Sequence, residues 1–377
     1  MGKSGTGGIE RLEQQFFALL RSGLWNKAID VTLFEGEVAW RNLLEMGQKQ
    51  TVLGVLADGI EKLPVAYRPP LSEIRWLQMQ VVAMKRHYVL LNHTLKEISK
   101  DLRTAGIHAV LLKGQGVAQY YRYPEQRQCG DIDLYVSSEE YVQACNVVRN
   151  YGIATGEESE NRAHCHFSRN QVIVEVHRLV TYSDDPFMDC KLQGIVNRYF
   201  QNTLSYKVLA ETDIWLPPIN FNAFYLFFHL VKHFIMEGVG LRQICDWALF
   251  LHVHQREIDK EQLLDDVRSV GMLKLWKIFG CIAVNYIGLP MEEFPGFQPV
   301  AEKRVRRVIN LIFYVGNFGH YTPQNGTRPA NYYKGKLYSF HKRYWWKRQI
   351  MPLCPMLIGR WTFFSLFHSI KVVLLHR

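Results

Sequence analysis

The spacing of apolar residues changes twice along this chain of 377 residues, and that change constrains the fold more than any other feature. Before about residue 105 and after about residue 220, apolar side chains recur three and four positions apart, as in amphipathic helices. Between these regions they fall into short runs of strand length, separated by glycine and polar turns. The sequence therefore predicts an α+β fold in which helical regions flank a small mixed sheet.

Four segments follow from this pattern. We assign residues 1–100 to an N-terminal helical region, 101–210 to a mixed core, 211–300 to a C-terminal helical domain and 301–377 to a basic, aromatic tail. The seven cysteines are scattered and show no CxxC spacing, which predicts free thiols in a reducing compartment. The N-terminus lacks the apolar stretch of a secretory signal, so we expect a cytoplasmic protein.

Two acidic strands are predicted in the mixed core. The run DIDLYV places Asp131 and Asp133 on one face, because successive strand side chains point to opposite sides. The run QVIVEVH, which follows the strand AHCHFSR after a predicted turn at Arg169-Asn170, places Glu175 between two valines. Carboxylates this close repel each other unless a cation lies between them. A divalent metal ion would balance them, and Mg²⁺ suits oxygen ligands; solvation at an exposed strand end is the simpler alternative.

A glycine turn precedes the first acidic strand. The apolar run at residues 107–113 has strand length, and it ends at Lys113-Gly114 before a short helical segment. Backbone N–H groups and a cation at such a turn can hold phosphate. Glycine turn, acidic strand and second acidic strand together form one coherent candidate site.

These elements carry a resemblance to known enzymes. LLKG, GDIDLYV and VEVH occur in this order and resemble the nucleotidyltransferase superfamily typified by DNA polymerase β. More narrowly, they are similar to uncharacterised bacterial-type nucleotidyltransferases, whose pattern is LKG, R-x-x-GDIDLLV-like and E-x-H between helical flanks. The resemblance implies a polymerase β-like core that transfers an NMP from an NTP, such as ATP, to a hydroxyl acceptor by a two-metal mechanism. The acceptor stays open among small molecules, sugars and proteins.

The resemblance also implies roles for individual residues. Asp131, Asp133 and Glu175 would hold the catalytic metal ions, which are Mg²⁺ with Mn²⁺ as the alternative. Glu175 would also activate the acceptor. Gly114 would form the phosphate-binding turn, with Lys113 close to the phosphates.

Three further residues complete the expected nucleotide-binding set. Arg127 matches the basic residue ahead of GDID and would meet phosphate, and His177 would line the pocket. Gln115 replaces the serine that usually follows the glycine, so the hydroxyl that commonly helps to bind phosphate is missing.

Histidines offer a competing interpretation. His164 and His166 form an HxH pattern that presents both rings on one strand face, and His177 follows nearby, so a His-liganded metal hydrolase is the second enzyme hypothesis. Strand-surface histidines explain the same pattern more simply. His229 and His233 lie four residues apart on a helix but lack the glutamate of HExxH, so we interpret them as buried or cleft histidines.

The net charge of +10 comes from the end of the chain. Residues 303–377 contain fourteen Lys and Arg but no Asp or Glu. Bases alternate with aromatic residues in YYKGKLYSFHKRYWWKRQ, a composition suited to an anionic membrane surface or to single-stranded nucleic acid. A helical element with a basic outer face is the simpler alternative. A catalytically silent nucleotidyltransferase fold that binds nucleic acid or a membrane surface, and so lies peripheral to the membrane, is the hypothesis from another functional class.

Overall fold

Helices occupy both ends of the chain and strands its centre, as the apolar spacing predicts. The computed structural model describes residues 4–150, 153–154, 164–201, 206–321, 329 and 331–375. Its helices are α1 (Ser4–Trp25), α2 (Trp40–Lys49), α3 (Leu53–Glu61), α4 (Leu71–Thr104), α5 (Gln115–Ala118), α6 (Tyr141–Asn150), α7 (Pro186–Phe200), α8 (Ile219–Met236), α9 (Leu241–Val253), α10 (Lys260–Ser269), α11 (Leu273–Ile282), α12 (Glu302–Val315), α13 (Tyr332–Ile350) and α14 (Pro355–Leu375). Its strands are β1 (Val110–Leu111), β2 (Asp131–Tyr135), β3 (Ile153–Ala154), β4 (His164–Arg169), β5 (Val172–His177), β6 (Lys207–Val208) and β7 (Trp215–Leu216).

The described strands form one mixed sheet in the order β3-β4-β5-β2-β1-β7-β6. The two acidic strands, β2 and β5, pair in parallel over five residues near its middle. Strand β4 pairs antiparallel with β5, and β1 pairs antiparallel with β2. Both acidic strands therefore have a neighbour on each side, which fixes the direction of their side chains.

One face of this sheet is apolar and packs against two helices. Ile132 and Leu134 of β2 and Val174 and Val176 of β5 are buried in a single apolar cluster. Residues of α4 and α6 complete the cluster: Leu91, Leu95, Ile98, Leu102, Tyr141, Ala144 and Val148. Because strand side chains alternate, burying this face directs the carboxylates of β2 and β5 to the opposite face.

The hairpin between β4 and β5 turns at Asn170-Gln171, whose φ angles are +53° and +65°. Two successive residues with positive φ form a type I′ turn, whose twist matches that of the flanking strands. Arg169 ends β4 and pairs with Val172, so the predicted turn at Arg169-Asn170 was wrong by one residue. Asp101 of α4 accepts a hydrogen bond from the Arg169 guanidinium at 2.6 Å, which holds the end of the strand against that helix.

The described residues divide into two compact units. The first draws on residues 1–44, 54–182 and 196–222, and the second on 45–53, 183–195 and 223–377. The sheet belongs to the first unit, and the second is helical.

Helices α13 and α14 of the second unit contain most of the basic, aromatic tail. Trp346 of α13 is buried and donates from Nε1 to the carbonyl oxygen of Phe234 at 2.8 Å. Arg360 of α14 donates to both carboxylate oxygens of buried Asp185 at 2.8 and 2.9 Å. Part of the tail is therefore integral to this unit. No helix in the described part of the chain contains a stretch long and apolar enough to cross a bilayer.

Candidate active site

Three carboxylates occupy the polar face of the sheet. The register pairs Asp133 directly with Glu175, and Asp131 lies two residues before Asp133 on the same face. Asp133 is only 3% exposed, whereas Asp131 and Glu175 are half-buried. The sheet thus brings together the three acids that the sequence singled out.

Two basic groups contact these carboxylates. Lys113 Nζ lies 3.0 Å from one carboxylate oxygen of Asp133, and His177 Nε2 lies 3.0 Å from the other. The same nitrogen of His177 is 3.3 Å from Glu175. Acids and bases therefore form one charge network around the buried Asp133 carboxylate.

The protonation states follow from this network. Burial alone would raise the pKa of Asp133, but Lys113 and His177 outweigh it and hold that pKa below its ordinary value. Burial would also raise the pKa of Glu175, but the hydrogen bond from His177 lowers it. For His177, the effect of burial is opposite and is overcome by the two carboxylates, which raise its pKa. Both acids are therefore ionised and paired.

Two histidines of β4 extend this face. In the antiparallel register, His164 lies opposite His177 and His166 lies opposite Glu175. His166 Nδ1 is 3.2 Å from Glu175 Oε1. The ring centroid of His164 is 4.7 Å from that of His166 and 5.0 Å from that of His177. The sequence revealed the HxH pattern, but only the hairpin register places these rings beside the acidic residues.

The glycine turn lies directly beside β2. Gly114 has φ +56° and ψ −122° and immediately precedes α5. A Cβ atom on Gly114 would lie 3.4 Å from Cys129 Sγ and 3.5 Å from the backbone oxygen of Asp131. Cys129, which no sequence pattern identified, therefore forms one wall of this turn.

Gln115 and Arg127 are both buried, at 3% and 7% exposure. Gln115 Oε1 accepts a weak hydrogen bond from Cys129 Sγ at 3.9 Å, while its Nε2 has no hydrogen-bond partner among the described residues. A buried amide donor next to the glycine turn is thus available for a ligand. The phosphate contact expected of Arg127 stays a prediction.

Two overlapping groups of side chains have donor atoms close enough to hold a metal ion. Asp133, Glu175 and His177 form one group and His164, His166 and Glu175 the other, with all donor atoms of a group within 4.8 Å of one another. The first group fits a divalent cation because it supplies two carboxylates. Glu175 belongs to both, and Asp131 extends the first along β2.

The second histidine pair of the sequence lies in the helical unit. His233 Nε2 is 3.0 Å from His229 Nε2, and His233 Nδ1 is 2.9 Å from Glu237. Both rings are half-buried. Within the described residues no metal-ligand group includes them, so the buried or cleft interpretation remains the simpler one.

Acidic strands on one face of a small mixed sheet, with a glycine turn beside them, define an α+β protein of the nucleotidyltransferase class. The chain belongs to the family described as uncharacterised nucleotidyltransferases, whose model matches residues 36–287. No curated protein and no solved structure matches the chain at a significant level. The resemblance found in the motifs is thereby confirmed, as is the nucleotidyltransferase core flanked by helices, and the membership supports a general role in nucleotidyl transfer.

Replacing Gly114 tests the strain at the turn. Gly114→Ala puts a side chain at a positive φ against Cys129, so we expect a loss of about 1–3 kcal/mol in the free energy of unfolding, measured by urea denaturation. Gly130→Ala is the matched control, because a Cβ there has no atom within 4 Å and its φ is not positive. Equal effects of the two substitutions would contradict the strain argument.

Proposed function

We propose that this protein is a Mg²⁺-dependent nucleotidyltransferase that moves an NMP from an NTP to a hydroxyl acceptor, with Mn²⁺ as the alternative metal. The observation that supports this most is the register that pairs Asp133 with Glu175 on the polar face, beside the strained turn at Gly114. The acceptor is a small molecule, a sugar or a protein.

Asp131, Asp133 and Glu175 would hold the metal ions, with His177 as a neighbouring donor. Two bound divalent ions would lower the pKa of the acceptor hydroxyl and stabilise the leaving pyrophosphate. In the transfer, the acceptor oxygen bonds to the α-phosphorus while the bond from that phosphorus to pyrophosphate breaks. Glu175, which His177 keeps ionised, accepts the hydroxyl proton.

Lys113 has a role that changes during the reaction. Without a metal ion, its ammonium group neutralises the buried carboxylate of Asp133 at 3.0 Å. Metal binding would take over that neutralisation, and the ammonium group could then turn to the triphosphate. A single lysine would thus stabilise the empty site and the nucleotide complex in succession.

Gln115 would supply the phosphate contact that a serine usually makes. Its buried Nε2 lacks a hydrogen-bond partner among the described residues, and an amide N–H₂ group donates to phosphate oxygens as a hydroxyl does. The glycine-glutamine pair would therefore keep the function of the usual glycine-serine pair.

Removing the charge of Asp131 tests the enzyme assignment. Asp131→Asn should abolish transfer of label from an α-labelled NTP to an acceptor in cell extract with Mg²⁺, because a metal-binding carboxylate is lost. Asp133→Asn should do the same, but it also leaves Lys113 without its carboxylate partner. Asp213→Asn, at a carboxylate that is 50% exposed and pairs with Arg103, is the control. Transfer at the wild-type rate by Asp131→Asn protein would refute the proposal.

Replacing Gln115 tests the phosphate contact. A hydrogen bond to a charged group contributes about 1.5–3 kcal/mol, so Gln115→Leu should raise the KM for NTP roughly 10–100-fold. Gln119→Leu, four residues further on at an exposed position, should leave the KM unchanged. An unchanged KM in the Gln115 variant would show that another group holds the phosphates.

We also propose that α13 contacts an anionic membrane surface. Leu337, Phe340 and Tyr344 are exposed on this helix, and exposed bases such as Arg343 and Arg348 lie among them. The same helix lines a cavity of about 740 Å³ whose wall includes several of these bases and aromatic rings. Exposed apolar side chains can enter the headgroup region while the bases meet anionic lipids.

Vesicle binding tests this surface. Wild-type protein should co-sediment with vesicles of mixed anionic and neutral phospholipid, but not with neutral vesicles, and salt should weaken the binding. Arg343→Gln with Arg348→Gln should reduce binding roughly 30-fold, because each of the two bases contributes about 1 kcal/mol near an anionic surface. Arg268→Gln, an exposed arginine paired with Asp265, is the control. Salt-sensitive binding to single-stranded RNA without vesicle binding would overturn the membrane proposal.

A further inference from the structure

We infer that His164, His166 and Glu175 form a second metal-binding site, the nitrogen-rich seat, which binds a borderline divalent ion of the Zn²⁺ class. It lies beside the oxygen-rich carboxylate site of Asp131, Asp133 and Glu175. Nothing in the proposed transfer of an NMP by Mg²⁺ requires this seat. Its existence is therefore an inference separate from the proposed function, and only its task in catalysis rests on that function.

The strand geometry preorganises the seat. His164 and His166 are two residues apart on β4, so their rings project from the same face of the sheet. Glu175 lies directly opposite His166 in the antiparallel register. Two adjacent strands thus hold all three side chains, and the type I′ turn at Asn170-Gln171 fixes the alignment of those strands.

The distances are those of a site that can close on an ion. His166 Nδ1 and Glu175 Oε1 are already 3.2 Å apart, and one donor atom from each of the three side chains falls within 4.8 Å of the others. In tetrahedral zinc sites the metal–ligand distances are about 2.0–2.2 Å, so donor atoms lie roughly 3.3 Å apart. The half-buried His164 ring supplies the third donor atom within the same 4.8 Å.

The donor set selects the class of ion. Mg²⁺ prefers oxygen ligands and keeps much of its water shell, whereas imidazole nitrogen suits Zn²⁺ and its neighbours in the transition series. Two imidazoles and one carboxylate are also a known ligand set of catalytic zinc sites, which leave the fourth position open.

A simple His–Glu ion pair does not explain why three imidazole rings cluster around Glu175. One imidazole beside Glu175 would suffice for such a pair, yet His166 and His177 both contact that carboxylate, and the His164 ring packs against the rings of both. A metal ion accounts for the cluster because imidazole nitrogens and a carboxylate oxygen on adjacent strands can all serve as its ligands.

The seat would have a task in the transfer reaction. Because Glu175 also belongs to the group with Asp133 and His177, the open position of the second ion would lie next to the nucleotidyl-transfer site. An acceptor hydroxyl bound there would have a lowered pKa.

Cobalt binding tests the seat without nucleotide. The full chain, freed of metal with a chelator, should bind Co²⁺ with the visible d–d absorption of a low-coordinate nitrogen site. Zn²⁺ should abolish this absorption at equimolar concentration, and Mg²⁺ should not. His164→Gln and His166→Gln should each weaken Zn²⁺ binding in calorimetry by more than the roughly 10–100-fold that loss of an outer-shell contact produces.

Two controls locate the ion. His93→Gln makes the same substitution at a side chain that is 63% exposed and pairs with Glu97, and it should bind Zn²⁺ like the wild type. Asp131→Asn should also keep the cobalt absorption, because Asp131 does not belong to the group of His164, His166 and Glu175. Circular dichroism melting verifies folding of each variant, and imidazole NMR signals of wild-type His164 and His166 should shift with Zn²⁺ while those of His93 do not.

Three results would overturn the inference. The first is the absence of a cobalt band in the wild type, and the second is wild-type Zn²⁺ affinity in the folded His164→Gln/His166→Gln double variant. The third is loss of the band in Asp131→Asn, which would move the ion to the carboxylate site. Failure of the proposed function appears instead as label transfer that persists in Asp131→Asn, so the two failures are distinguishable.

Discussion

The parallel pairing of β2 with β5 is the constraint on which the candidate site depends. Ile132 and Leu134 pack on the helices beneath the sheet, and Asp133 can then only point away from them. The matched register places Glu175 next to Asp133 across the strand pair. A shift of one residue in this register would bury a carboxylate in the apolar cluster, at a cost of several kcal/mol. The hydrophobic core therefore specifies the polar arrangement on the other face.

The charges on this face need compensation within the protein. Asp133 is nearly inaccessible to water, and its ionised form is held by Lys113 on one oxygen and by His177 on the other. Removing one of these charged partners should strongly destabilise the fold, because it leaves a buried charge unpaired. A bound cation can replace these partners without leaving the carboxylate bare. Lys113 and His177 therefore stabilise the ionised carboxylate of Asp133 within the folded protein.

Local patterns predicted much of the fold and the identity of the acids, because alternation in DIDLY and helical spacing in the flanks are properties of consecutive residues. Contacts that depend on the pairing register of the strands were harder to predict from the sequence. The turn predicted one residue early would have placed Glu175 opposite His164, whereas the turn at Asn170-Gln171 places it opposite His166. The pairing of Lys113 with Asp133 was likewise not predictable from local pattern, since it joins a residue just after β1 to the middle of β2, with a helix and a loop between them in the chain.

Glu175 connects the two groups of potential metal ligands. It accepts contacts from His177 on its own strand and from His166 on the neighbouring strand, and it belongs to both groups of potential metal ligands. A carboxylate has two oxygens and can bridge two ions, so an ion in either seat would reduce the repulsion that Glu175 exerts on Asp133. Two cations that share the Glu175 carboxylate would also repel each other, so occupation of the nitrogen-rich seat should lower the metal affinity of the oxygen-rich one. His164 and His166 would in that case regulate the metal affinity of the carboxylates through the ion that they hold.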